Sequence, residues 1–266
     1  MISKNKLRQI KALEKKKQRR ESGLFVAEGP KVVGDLTGSF ATDTIVATRD
    51  WLGSHRELLS AIGSQAGEKS SSSPEIIEVD DDELQRVSFL QHPQEVLAVM
   101  RIPRDDIDES AIKSRLCIAL DGVQDPGNLG TIIRVADWFG ITDIFCSREC
   151  ADVYNPKVVQ ATMGSIARVK VAYTDLAALL DRIADDDIPV YGTFLDGEDI
   201  YGKALSDNGL IVMGNEGNGI SGEIARRVNQ RLYIPNFPEG RTTAESLNVA
   251  IATAITCAEF RRQHRK

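Results

Sequence analysis

The chain has 266 residues, 42% hydrophobic and 27% charged, a balance that excludes a disordered, collagenous or fibrous protein. No apolar run reaches the roughly 18 residues of a membrane span, and MISKNKLRQI lacks the apolar stretch of a secretory signal. The four cysteines, Cys117, Cys146, Cys150 and Cys257, form no CxxC pair, so buried free thiols and no metal are expected, in a reducing, cytoplasmic setting.

The net charge of −6 is unevenly placed. Residues 1–20 carry nine Lys/Arg against Glu14, or +8, and Arg261, Arg262, Arg265 and Lys266 add +4, which leaves −18 on the body between them. Basic ends on an acidic body suit local contact with a polyanion, although a solvated basic helix has the same composition.

Leu7, Ile10 and Leu13 recur at helical spacing, which predicts a charged amphipathic helix within 1–20. The runs LFVAEG, KVVGDL, TIVAT, EIIEVD, DELQRV and VLAVMR then alternate between strand and helix patterns, predicting a small α/β domain over 1–101. Gly63 to Pro74 reads as a surface loop, and the proline-punctuated IPRDDIDESAIK, 102–113, as a linker.

From 114 to 266 the βα alternation sharpens. RLCIALDG is a strand, GNLGTIIRVADWFG a helix closed by Gly140, DIFCS a strand, PKVVQATMGS a helix, ARVKVAY a strand and DLAALLDRIA a helix. The strands IPVYGTFL and GLIVMGN follow, then the helix ISGEIARRVNQ, the strand RLYIPN and a long helix from about Ala244. Nearly continuous apolar strands predict a mostly parallel sheet covered on both faces, with any ligand beyond the strands' carboxyl ends.

Three strand-end segments expose backbone and amide groups there: DGVQDPGNLGTIIR (121–134), GNEGNGISG (214–222) and IPNFPEGRTTAESLNVAIA (234–252). Gly217, Gly219 and Gly222 spell the dinucleotide fingerprint G-x-G-x-x-G. The acid about 20 residues on, Glu239, falls in the turn FPEG, and only one strand and one helix follow, where a dinucleotide fold needs most of its sheet. No GxxxxGK[ST] is present for a P-loop. His55, His92 and His264 are scattered and read as non-functional; Trp51 and Trp138 are expected in the core.

Together the three segments resemble the SpoU/TrmH group of RNA ribose 2′-O-methyltransferases, members of the SPOUT superfamily, through NLGTIIR, GNEGNGIS, and IP followed by SLNVAIA. LFVAEGPKVVGDL and QEVLAVMR also resemble, more loosely, the family's substrate-binding domain. The resemblance implies a C-terminal deep trefoil knot over 114–266 that binds S-adenosylmethionine (AdoMet), a homodimer with its sites at the subunit interface, and an RNA-binding domain over 1–101. It implies methyl transfer to a ribose 2′-OH of structured RNA, with ribosomal RNA favoured over transfer RNA by analogy. A non-catalytic RNA-binding protein of the same fold is the rival reading.

Carried over residue by residue, Asn128, Arg134, Glu216, Ser246 and Asn248 match the family's active-site positions. Gly214, Ile234 and Leu247 match positions whose backbone cradles the cofactor's adenosine. Asn215 and Gly217 on the same loop, and Thr193, Phe194 and Leu195 at another strand end, are expected to line that pocket. Arg134 suits a phosphate or a developing alkoxide better than the part of general base, because a guanidinium stays protonated. Asn128, Ser246 and Asn248 would orient ribose, arginine or cofactor, and Glu216 would hold the loop. One departure is the loop NFPEGRTTAE, longer than in many relatives, whose Arg241, Thr242 and Thr243 stand to alter cofactor closure or RNA contact.

Overall fold

The computed structural model describes residues 1–64, 73–103, 108–238 and 244–264. Its elements fall into two units, the first comprising Met1–Asp105 with Asp152–Ala167 and the second Asp106–Ala151 with Arg168–Lys266. The chain opens with α1 (Lys4–Ala12), α2 (Lys16–Ser22), β1 (Leu24–Glu28), α3 (Pro30–Thr37) and β2 (Thr42–Thr48). It continues through α4 (Arg49–Ser54), α5 (Arg56–Ser64), β3 (Glu75–Val79), α6 (Asp81–Val87) and β4 (Val96–Arg101). Next come α7 (Ala111–Ser114), β5 (Leu116–Leu120), α8 (Pro126–Trp138), β6 (Asp143–Cys146), α9 (Pro156–Thr162), β7 (Lys170–Tyr173) and α10 (Leu176–Ile183). The last elements are β8 (Val190–Asp199), β9 (Gly209–Met213), α11 (Gly222–Ala225), β10 (Gln230–Tyr233) and α12 (Val249–Gln263).

The first unit holds a four-stranded sheet in the order β1-β4-β2-β3, with β4 antiparallel to both neighbours and β2 parallel to β3. Ile2, Ile10 and Leu13 are buried with Val26, Val46, Leu84 and Leu97, so the basic N-terminal segment belongs to this core. The single helix expected within 1–20 is in fact two. The break is held by Arg19, whose Nη1 donates to the carbonyls of Leu13 and Glu14, both at 2.7 Å. Those carbonyls lie where α1 ends and lack helical donors of their own. The same guanidinium donates through Nε to Asp152 Oδ2 at 3.0 Å and is only 1% exposed. Lys6 bonds Thr44 and Glu75, and Lys11 reaches the carbonyl of Ser88. Three of the nine cations are therefore committed to folding.

Asp152 lies in a segment whose membership departs from the expected boundaries of 1–101, 102–113 and 114–266. Asp152–Ala167 clusters with the first unit, where the Tyr154 ring lies 4.9 Å from that of Phe25 and Ser39 donates to the carbonyl of Ala167. Trp51 is buried as expected, stacked on His55 with ring centroids 4.4 Å apart.

The second unit holds a six-stranded sheet in the order β10-β8-β9-β5-β6-β7, and every pairing in it is parallel. The central strands LCIAL and GLIVM are buried along their whole length, as strands covered on both faces must be. α7, within the expected linker, buries Ala111 and Ile112 in the same core as Leu179, Leu180 and Val212. All four cysteines are free and buried; burial pushes the thiols of Cys117 and Cys257 up to about 12. No helix among the described residues is long and apolar enough to cross a membrane.

Three local expectations need correction. ISGEIARRVNQ supplies only the single turn α11, and the last helix starts at Val249, capped by Asn248, instead of near Ala244. Trp138 is not in the core but 85% exposed, because α8 buries the stripe Leu129, Ile132, Ile133 and Ala136, and position 138 points away from it. The tips of two expected loops, 65–72 and 104–107, lie outside the described residues.

Replacing Arg19 with Met should cost about 3 kcal/mol, because Asp152 and two helix-end carbonyls lose their donor. The exposed neighbour Arg8→Met should change stability by less than about 0.5 kcal/mol. Urea unfolding of both variants measures the contrast, and equal midpoints would remove the clamp.

Candidate active site

The residues that follow β5 and β10, and a bulge within β8, gather at the loop that follows β9, so Thr193, Phe194 and Leu195 lie mid-strand and not at the strand end expected for them. Asn215 and Gly219 exchange two backbone hydrogen bonds of 2.9 Å, which closes the loop on itself. Inside it, Asn215 Oδ1 accepts from the amides of Gly217 at 2.9 Å and Asn218 at 3.1 Å. Asn215 Nδ2 donates to the Gly122 carbonyl at 2.7 Å, and the Ser221 amide donates to Asp121 at 2.7 Å, so both ends of the loop are bolted to the end of β5.

That arrangement explains Gly214. A Cβ there would lie 2.2 Å from the backbone of Gly219 and Ile220, so the loop itself forbids a side chain. It also disposes of the dinucleotide fingerprint. The amides of Gly217, Asn218 and Ser221 already have acceptors, and α11 is one turn long, so no helix N-terminus is open to a pyrophosphate.

One residue from each of the three segments meets at a single network. Asp125 caps α8 by accepting from the Asn128 amide at 2.8 Å. The Asn128 side chain then donates through Nδ2 to Glu216 at 2.8 Å and accepts at Oδ1 from Asn248 Nδ2 at 2.9 Å. Asn248 Oδ1 caps α12 by accepting from Ala250 and Ile251.

Beside this network lies a cavity of about 500 Å³. Thr193, Phe194 and Leu195 reach it because the β8–β10 register jumps from Gly192↔Arg231 to Glu198↔Leu232, which throws 193–197 out of the ladder. The guanidinium of Arg231 holds the bulge, 3.5 Å above the Phe194 ring and paired with Asp196 at 2.6 Å. Gly214, Asn215, Gly217, Ile234 and Leu247 complete the eight expected cofactor residues, all of which line the cavity. Glu216 and Ser246 line it too, and Asn128 and Asn248 are joined to it through Glu216.

Arg134 stands apart. It lies six residues beyond Asn128 on α8, about 9 Å along the axis and on another face. It is exposed, makes no hydrogen bond or ion pair among the described residues, and does not line the cavity. Met213, Asn218, Ile220, Tyr233, Glu245, Val249 and Ala252 line the cavity without having been singled out in the sequence. All of them lie next to or inside the three motifs, where strand-end position was the available signal. Arg241, Thr242 and Thr243 of the long loop lie outside the described residues, as does all of 239–243.

The walls are largely apolar, and their charged side chains among the described residues are Glu216 and Glu245, with no Lys, Arg or His. Such a cavity suits a compact, positively charged ligand with a flat apolar ring, and AdoMet, with its sulfonium, ammonium and adenine, has that chemistry. A dianionic pyrophosphate would meet carboxylates.

A parallel α/β sheet with a pocket lined by apolar groups and carboxylates at its strand ends defines the class, and comparison with known proteins defines the family. The sequence model of the SpoU rRNA Methylase family matches residues 115–258, and that of the MRM3-like substrate binding domain matches residues 4–98. The chain belongs to the SpoU rRNA methylase family. It is 28% identical over 257 residues to the 23S rRNA (guanosine(2553)-2′-O)-methyltransferase RlmP of Bacillus subtilis (strain 168), covering 96% of each chain. A TrmH-family protein from Porphyromonas gingivalis superposes with a TM-score of 0.84 at 37% identity, over 99% of both chains. An AdoMet-bound rRNA methyltransferase from Sinorhizobium meliloti also gives a TM-score of 0.84, at 30% identity over 100% of this chain and 98% of that one.

Gly214→Ala should abolish ligand binding to the cavity and cost roughly 1–3 kcal/mol, the range for overpacking. Gly222→Ala, whose Cβ at the start of α11 would meet only the end of the Arg226 side chain at 3.9 Å, should leave both within experimental error. Calorimetric binding together with thermal unfolding checks the pair; a Gly214→Ala protein that binds normally would show that the loop does not shape the site.

Proposed function

We propose that this chain transfers a methyl group from AdoMet to the ribose 2′-OH of a nucleotide in structured RNA, ribosomal before transfer RNA. The observation that carries this reading is the Asn128–Glu216–Asn248 network beside a cavity whose charged lining residues, among those described, are carboxylates. The ribosomal preference is supported by the similarity to RlmP, a 23S rRNA methyltransferase, along nearly the whole chain.

Bound in this cavity, AdoMet would supply an electrophilic methyl on a cationic sulfur. The chain's own task is to hold a ribose hydroxyl in line with that methyl, about 3–3.5 Å away, and to stabilise the charge that develops on O2′. Backbone and apolar side chains at 193–195, 214–217, 234 and 247 would cradle the cofactor. Ser246, exposed at the cavity edge, and Asn128 would orient the ribose by neutral hydrogen bonds. Glu216 is engaged by Asn128 and Asn215, which suits it to fixing the loop.

Arg134 would bind the phosphate beside the target ribose and offset negative charge on O2′. Its distance from Asn128 within one chain supports a homodimer in which a second copy supplies it. α8 and α12 pack on each other, and Trp138, Ile251 and, just ahead of α12, Leu247 are at least half exposed, a combination of apolar area and an aromatic anchor typical of interfaces. We also read the C-terminal path as the family's trefoil knot. Support comes from the strand order β10-β8-β9-β5 and from the return of residues 246–249 to the cavity after the edge strand β10. The first unit is read as the RNA-binding domain and the location as cytoplasmic.

Purified protein should label ribosomal RNA from methyl-tritiated AdoMet, with the label mapping to a 2′-O-methyl nucleotide. Arg134→Ala should lower that rate by about 100-fold or more, the scale of losing one charge-stabilising donor, with AdoMet affinity kept within about threefold. Mixing it with inactive Asn248→Ala should restore about a quarter of the activity if the two residues act from different subunits of a twofold dimer. Failure mainly through lost AdoMet binding would refute the role, and binding of both ligands without transfer would favour the non-catalytic rival.

Deleting residues 1–20 would remove Ile2, Ile10 and Leu13 from the core, so charge substitution is the cleaner probe of the basic segment. Lys15, Lys16, Lys17 and Arg20 replaced together by Gln should reduce the slope of log K against log salt by up to about 3. An unchanged slope would return the segment to a structural role alone.

A further inference from the structure

The two carboxylates that line the cavity among the described residues are not equivalent. Glu216 accepts from Asn128 at 2.8 Å and from Asn215 at 3.4 Å, so both of its oxygens are engaged. Glu245 lines the same cavity, is exposed, and makes no hydrogen bond or ion pair among the described residues. It stands just before Ser246 and Leu247, which also line the cavity, and three residues before the N-cap Asn248. The backbone that carries it is thus anchored through Asn248 to Asn128.

We propose that Glu245 is the counter-ion for the α-ammonium group on the amino-acid moiety of the cofactor, an inference that rests on the methyl-donor reading above. AdoMet carries two positive centres. The sulfonium has no hydrogen to donate and loses its charge on methyl transfer, whereas the ammonium offers three donors and keeps its charge throughout. A carboxylate with free lone pairs at a wet rim matches the group that donates hydrogen bonds. An ammonium–carboxylate contact is charge-assisted, stronger than a neutral hydrogen bond yet weakened by salt at an exposed site. No other unengaged charge among the described residues lines the cavity, so amino-acid-bearing ligands would be separated here from bare nucleosides.

Three ligands dissect the contact by isothermal calorimetry on the full chain. AdoMet and S-adenosylhomocysteine both carry the ammonium; 5′-methylthioadenosine has the adenosine and sulfur but no amino-acid tail. Glu245→Gln, which keeps size and removes charge, should weaken AdoMet and S-adenosylhomocysteine alike, by about fivefold at low salt. Binding of 5′-methylthioadenosine should stay within about twofold, the difference should shrink as salt rises, and Glu245→Asp should recover part of the loss. Equal weakening of all three ligands would overturn the inference by making Glu245 a shape residue. Weakening of AdoMet alone would overturn it by placing the carboxylate at the sulfonium, and no weakening would overturn it outright. A wild-type protein that bound none of the three would defeat the methyl-donor reading and this inference with it, whereas intact wild-type binding isolates a failure to Glu245.

Discussion

The side-chain amide of Asn128 is held from both ends, and the site is organised around that constraint. An amide has one acceptor oxygen and one donor nitrogen, and here they face Asn248 and Glu216, which come from separate strand-end loops. Each partner is bound in turn to something rigid. Asn248 caps α12, Glu216 sits on a loop bolted to β5, and Asn128 itself lies in the capped first turn of α8. Hydrogen bonds of this kind are individually worth about 1 kcal/mol, but together they allow a single relative placement of three loops.

The glycine-rich loop illustrates how a motif can be matched for the wrong reason. Its spacing satisfies the dinucleotide fingerprint, yet in that fold the glycines free backbone amides for a pyrophosphate. Here the amides turn inward to Asn215 and Asp121, and Gly214 is small because the loop folds across it. What the loop offers a ligand is a wall, with the carboxylate of Glu216 in place of a nest of N–H groups.

Charge is distributed by task. The body is acidic, and the cavity carries negative charge suited to a cationic small molecule. The basic residues of the N-terminal segment divide between an inward set, Lys6, Lys11 and Arg19, and others on the surface. A count of nine cations in the sequence therefore overstates what a polyanion could meet, because burial of Arg19 is invisible to composition.

Much of the fold was legible because its signals are local. LCIAL and GLIVM announce buried parallel strands, PGNLG announces a capped helix start, and three motifs in order point to the family. Those same motifs named Asn128, Glu216 and Asn248 before any contact between them was visible. Tertiary structure alone decided the rest: that Trp138 faces outward, that Asp152–Ala167 joins the first unit, that Arg134 stands away from Asn128, and that Glu245 lines the cavity with no partner among the described residues. Periodicity and capping depend on neighbours within a few residues. The orientation of a side chain at the edge of a helix's buried stripe, or at the mouth of a cavity, depends on chain more than 100 residues away, as Asn248 and Asn128 are from each other.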